Sequence, residues 1–338
     1  MVTTQVPWNA PPPGPPPRGG EGRGGRGEQL QNRIRILSVA AALALTGTVR
    51  AEVTSSAFLK IGAGAEAAAL GGAYSAAARG PDAVYWNPAG LAGSGRAVTL
   101  THTALYEEAS HDYAAYTAKG LGGNLGAAIT WLSYGSLNGR DSNGLSAGGF
   151  SAEDMALSLA YAGSFNKDLS LGVAGKYLHS RIGGEAGGGF ALDAGARWAL
   201  PVKHLKAALA VQNLGPEFKF SGDKRPLPLA FSLGAGYTGI DRLELILEGR
   251  IRPKDGDDEL CFGAGYKATK ALVIRAGYNS KAAKAGRSED ARGLKTLDNL
   301  RGLSAGFGAE LADFKLDYAY TPYGELGNAQ RITLSIGF

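Results

Sequence analysis

From Ala97 onward, apolar and polar positions alternate with a period of two in segment after segment, with almost no helical periodicity. The last segment is the plainest. Ile332, Leu334, Ile336 and Phe338 fall on one face, while Arg331, Thr333, Ser335 and Gly337 fall on the other. Between 242 and 252 an aliphatic ladder (Leu243, Leu245, Leu247, Ile251) opposes a charged one (Arg242, Glu244, Glu248, Arg250, Arg252). Phe314, Leu316, Tyr318 and Tyr320 stand in the same way against Lys315, Asp317 and Thr321, and Phe190, Leu192, Trp198 and Leu200 against Asp193 and Arg197. Strands with one lipid-compatible and one water-compatible face suit an outer-membrane β-barrel. The pattern thus predicts an all-β membrane protein, an antiparallel barrel in the cell outer membrane that meets lipid outside and a polar lumen inside.

About fourteen strands are expected, starting near Ala97, His111, Gly123, Asp154, Leu169, Gly188, Leu205, Leu227, Arg242, Asp258, Ala271, Arg301, Asp313 and Ala329. An even number closes the wall with both ends on one side. Connections at 166–168, 238–241 and 267–270 read as tight turns, and those at 135–153, 215–226 and 280–300 as long polar loops. The inward faces are rich in small residues, as in Ser170, Gly172 and Ala174 or Ser304, Gly306 and Gly308. Wall side chains therefore do not fill the lumen, which points to the segment before the first strand as a plug.

Charge does not change this picture. Of the formal net charge of +5, the first fifty residues hold +4, from six Arg against Glu21 and Glu28. No basic face remains for a phosphate backbone, so nucleic acid is excluded as a partner. Residues 1–32 read as a disordered Pro/Gly/Arg-rich leader, with the true translation start expected downstream of Met1. Residues 33–51 read as a signal peptide, with cleavage after Ala51. Residues 52–96 form the plug, or hatch, and 97–338 the barrel. The single Cys261 leaves no disulfide to hold the chain together.

The four His residues (His102, His111, His179, His204) lack metal-ligand spacing, and no GxSxG nucleophile motif is present. The tract Gly62, Gly64, Ala67 follows no strand of a βαβ unit, which removes dinucleotide binding. No catalytic residue, metal or cofactor is expected. The candidate lumen charges are Glu244, Glu248, Arg250, Arg252, Asp193, Arg197, Lys315 and Asp317, read as a charge network lining the interior.

Residues 57–95 do not alternate and end in the run Tyr85, Trp86, Asn87, Pro88, Ala89, Gly90, Leu91. Asn before Pro favours a turn. The run GGAYSAAARGPDAVYWNPAGL resembles the signature of the PorV/PorQ family of outer-membrane proteins, relatives of the FadL-type transporters. Three further stretches resemble the same family in order: 134–162, 210–237 and 317–338. The resemblance implies a fourteen-stranded barrel with its Asn-Pro-Ala hatch inside. It also implies an accessory or shuttle role in protein secretion or surface attachment of the type IX kind, with secretion components or secreted cargo as partners. The alternative is a FadL-like channel for hydrophobic small molecules, which a lateral opening and an apolar pocket near Tyr74, Tyr85 and Trp86 would favour. Glu66 stands where the family usually has Arg, which puts the ion pair made by that Arg with the wall in doubt. Phe338 is the expected signal for the barrel-assembly machinery, and outer-membrane lipid is the remaining expected partner.

Overall fold

The computed structural model describes residues 54–338 except 107, 141–142, 257, 285–301 and 323–327, and omits the side chain of residue 147. The leader and signal-peptide assignments lie outside the described residues.

The wall begins with β1 (Ala97–Ala104), β2 (Ser110–Gly120), β3 (Gly123–Arg140), β4 (Ser146–Ser164), β5 (Leu169–Ile182), β6 (Glu185–Ala199) and β7 (Leu205–Leu214). A short hairpin of β8 (Phe218–Phe220) and β9 (Asp223–Arg225) follows. The wall resumes with β10 (Ala230–Ile240), β11 (Leu243–Ile251), β12 (Glu259–Lys267), β13 (Leu272–Asn279), β14 (Leu303–Leu311), β15 (Phe314–Pro322) and β16 (Asn328–Gly337). Each wall strand pairs antiparallel with its neighbours, and β16 returns to β1 in the register Ala97 to Gly337 through Ala104 to Gln330. The result is a closed fourteen-stranded antiparallel barrel. Closure leaves no wall edge with unpaired backbone groups. Phe338 completes the seam, its N–H donating to the Arg96 carbonyl at 3.0 Å and its ring stacking on Tyr116.

Period-two alternation sets the faces. Leu100, Leu159, Phe190, Leu247, Ile274 and Leu334 are exposed on the outside, whereas Thr99, Thr101, Glu248, Arg275, Asp317 and Thr333 are buried within. Two expectations need correction. The stretch 135–153 is not a loop, because β3 and β4 continue through most of it as a paired ribbon. Alternation fails there, with shifts at Ser133/Ser136 and Gly139/Arg140, since a ribbon beyond the apolar band has two solvated faces and no reason to separate them. Arg242 does not join the inward ladder. It occupies the β10–β11 turn at φ 59°, exposed beside Asp241.

Residues 54–96 form a compact unit of short helices, with α1 (Ala65–Ala69), α2 (Ala83–Trp86) and 3-10 turns at Ala57–Lys60, Gly80–Asp82 and Pro88–Leu91. These helices are too short to stand alone. They hold because, from Gly62 to Leu91, all but four residues are buried against the inner wall. The wall's small residues are what admit them. A Cβ at Gly172 would lie 2.5 Å from the Ala89 nitrogen, one at Gly306 2.6 Å from Ala69 Cβ, and one at Gly263 2.9 Å from Leu70 Cβ.

Candidate functional site

The tight turn after α2 ties the hatch to the inner wall through Asn87. Asn87 is fully buried and extended, and its Oδ1 accepts from Ala89 N–H at 3.1 Å, the Asx geometry that a following Pro favours. Its Nδ2 donates to the Ser75 carbonyl at 3.1 Å and to the wall carbonyls of Ala196 and Leu209 at 3.4 and 3.5 Å. Pro88, Ala89, Gly90 and Leu91 are buried with it. The pocket considered from sequence near Tyr74, Tyr85 and Trp86 is approached by Trp86, which lines the lumen pocket with Gly71 and Gly72. Tyr74 and Tyr85 fill the hatch core edge-on to Trp86, with ring centroids 6.0 and 5.2 Å from it.

Hatch backbone groups without helix or strand partners are satisfied by inward wall side chains, as burial demands. Glu248 Oε2 accepts from both Tyr74 and Ser75 N–H at 2.9 and 2.7 Å, and Thr333 Oγ1 accepts from Ala65 N–H at 2.8 Å. Gln212 donates to the Tyr85 carbonyl at 2.6 Å, and Arg197 donates to that of Ala78.

The wall charges fall into three groups. Arg250 bridges Glu248 at 2.5 Å and Glu259 at 2.9 Å, Arg252 pairs with Glu259, and the Arg250 guanidinium lies 5.2 Å from the Trp86 ring. Asp193 pairs with Lys176 at 2.6 Å. Lys315 and Asp317 are 3.0 Å apart and gather Arg275, 2.9 Å from Asp317, and Glu66 of α1. Glu66 is held by Arg79, by Arg275 at 3.3 Å and by Lys315 at 2.5 Å. The ion pair placed in doubt by Glu66 therefore exists with a carboxylate on the hatch and cations on the wall. Burial alone would raise the Glu66 carboxyl, but Arg79, Lys315 and Arg275 overcome it and hold the group below the usual carboxylate range. Nearby Asp82 has no such escort. Burial, with Glu66 and Asp317 opposing Lys315 and Arg79, pushes its carboxyl up to about 7, and its Oδ1 has no hydrogen-bond partner. Glu244 is half-buried and lies close enough to Arg79 to act on its charge.

Sequence reasoning missed Lys176, Glu259 and Arg275, although strand parity placed each on the inward face. Among the described residues no group of three or more His, Cys, Asp or Glu is placed to hold a metal ion.

Two spaces adjoin the hatch. A lumen pocket of about 340 Å³ opens above Gly71, Gly72 and Trp86, bounded by Ile61 and Leu105 and by the charged Lys60, Arg250, Glu259 and Arg331. Ile61 and Leu105 also pack against an inward apolar cluster of Phe58, Leu59, Leu132, Leu178, Phe218 and Leu227, so the cluster borders the pocket there. Outside, a groove of about 1210 Å³ crosses the outer faces of β1 to β6, from Leu100 to Leu192 and Leu214. The outer groove, rather than the lumen pocket, reaches the inward cluster after β7, where Gly215 lines the groove and lies against Leu227. Nearby, the β6–β7 register shifts between Leu192 and Ala194, and at Gly187 and Gly188 the β6 edge away from β5 pairs with β8 instead of β7.

No family model matches the chain, and no curated protein matches it. Solved structures of like fold exist. The toluene transporter TbuX of Ralstonia pickettii is 15% identical with a TM-score of 0.55, the match covering 82% of this chain and 98% of that one. The toluene transporter TodX of Pseudomonas putida is 12% identical with a TM-score of 0.53, covering 81% and 96%. A FadL homologue of Pseudomonas aeruginosa is 12% identical with a TM-score of 0.51, covering 80% and 97%. This chain therefore has the fold of the FadL-type outer-membrane channels.

Proposed function

We propose that the protein is an outer-membrane channel for hydrophobic small molecules. The observation that carries this reading is the inward apolar cluster of Leu132, Leu178, Phe218 and Leu227 above the hatch, which borders the lumen pocket at Ile61 and Leu105. A barrel that passes water-soluble molecules has a polar interior. Here the half of the lumen distal to Phe338 offers apolar solutes a place to leave water. Their exit is the β6–β7 junction, where Leu227 on the inside and the outer groove are separated by Gly215, whose Cβ, if present, would stand 2.9 Å from Leu227 Cδ1. The solved channels of like fold support this reading over the secretion role implied by the sequence motifs.

The test is uptake of radiolabelled toluene and oleate by cells that express the protein in their outer membrane, compared with the same cells without it. Faster uptake of at least one, reduced by Leu178→Lys in a barrel that still shows heat-modifiable migration, is the expected result. Uptake of both at the rate of control cells would refute the channel reading.

A further inference from the structure

The barrel end that carries Arg96 and Phe338 differs in charge from the distal end. Lys167, Lys203, Arg242 and Lys270 occupy its turns, and Arg96, Lys119, Lys206 and Lys267 its strand ends, all eight exposed. Four exposed acids stand against them: Asp168, Asp241, Glu310 and Asp313. At the distal end the exposed groups of the described residues balance, with Arg140, Arg181, Lys219, Lys224 and Arg225 facing Glu108, Glu185, Glu217, Asp223 and Asp258. The basic turns also expose large apolar side chains that no packing explains. Leu121 is 83% exposed two residues from Lys119, Phe165 74% two residues from Lys167, and Val202 56% beside Lys203. Such a pairing is costly in water. It suits the boundary of a bilayer, where an apolar side chain enters the acyl layer while the neighbouring ammonium or guanidinium stays at headgroup level.

We propose that this rim binds the anionic phospholipid headgroups of the leaflet at the Phe338 end, and so ranks the lipids around the barrel by charge. The inference rests on the membrane-spanning reading and not on what the lumen carries. A basic residue at an anionic surface is attracted to it within a Debye length, and salt removes the attraction. The eight bases are spread around the circumference, with five of the six hairpin turns flanked by at least one, so they form a collar that a whole leaflet can meet.

The experiment places the full chain in phosphatidylcholine vesicles with a trace of spin-labelled phosphatidylglycerol or spin-labelled phosphatidylcholine. It reads the motionally restricted fraction of each label. The expected result is about a threefold preference for phosphatidylglycerol at low salt, lost in 1 M sodium chloride. The preference is also lost in the variant K167Q/K203Q/R242Q/K270Q and kept in the distal control R140Q/R181Q/K219Q/K224Q. Equal restriction of the two labels by the inserted parent would overturn the proposal, as would loss of preference in the distal control alone. A protein that inserts in no vesicle, shown by absent heat-modifiable migration, would overturn the membrane reading and this inference with it.

Discussion

Replacing Asn87 should release the hatch and leave the wall standing. In Asn87→Ala the hydrogen bond to the Ser75 carbonyl and the one from Ala89 N–H are lost, together with two longer contacts to the wall carbonyls of Ala196 and Leu209. Each full hydrogen bond is worth about 1 kcal/mol net, and leaving the buried Ala89 N–H unpaired adds a desolvation cost of about 1 kcal/mol or more. The sum is about 3 kcal/mol against the seated hatch, or about a hundredfold in its open population. The wall's ladder does not pass through Asn87, so barrel melting and abundance should stay at parental levels. Limited proteolysis across 54–96 in detergent reads the opening directly. Asn87→Asp sharpens the test, because at neutral pH it points a carboxylate at three carbonyl oxygens. Such a group has a folded-state pKa above its unfolded value of about 3.9. Its contribution is thus present at low pH and lost as pH rises through the folded-state pKa. The Asp variant should be cleaved faster than the Ala variant at pH 8 and approach the parent near pH 4.5, each rate taken relative to the parent at that pH. Parental cleavage of both variants at pH 8 would refute the seating role of the turn.

Further outcomes follow from other residues. Asp82 has its carboxyl raised from an ordinary 3.8 to about 7, so the folded hatch favours its protonated form. The stability this adds is full below about pH 4 and falls by about 4 kcal/mol as pH rises through 7. Hatch proteolysis should therefore be slower at pH 5 than at pH 8, with Asp82→Asn removing most of the difference. A parental profile in that variant would refute the assignment. Leu247→Arg should lower the stability of the inserted barrel by about 2 to 4 kcal/mol, since Leu247 faces outward. Ile246→Arg cannot be the mild counterpart that strand parity suggests, because Ile246 is buried in the hatch cluster with Leu70 and Tyr74 rather than facing lumen water. It should raise hatch proteolysis, and unchanged cleavage would show that the cluster yields. Removing Phe338 loses its stacking on Tyr116 and its bond to Arg96, and should cut the fraction of protein with heat-modifiable migration. Normal abundance and migration would count against its role in closing the seam.

Strand number, side-chain facing and the tight turns were determined by local order along the chain. A period of two is a property of each strand by itself, and every wall strand except β4 begins within three residues of its expected start. The candidate hatch motif was equally legible, because Asn-Pro restricts its own backbone. What the chain could not show was contact between inward faces. Lys176 meets Asp193, and Arg275 meets Asp317 and Glu66, only because the strand registers set β5 against β6 and β13, β14 and β15 side by side, and because a hatch from far earlier in the sequence packs against them. Parity said that Ile246 points inward, but only the tertiary structure decided that inward means apolar there. Whether an inward side chain meets water, charge or a packed core depends on what fills the lumen opposite it, and alternation along one strand carries no record of that.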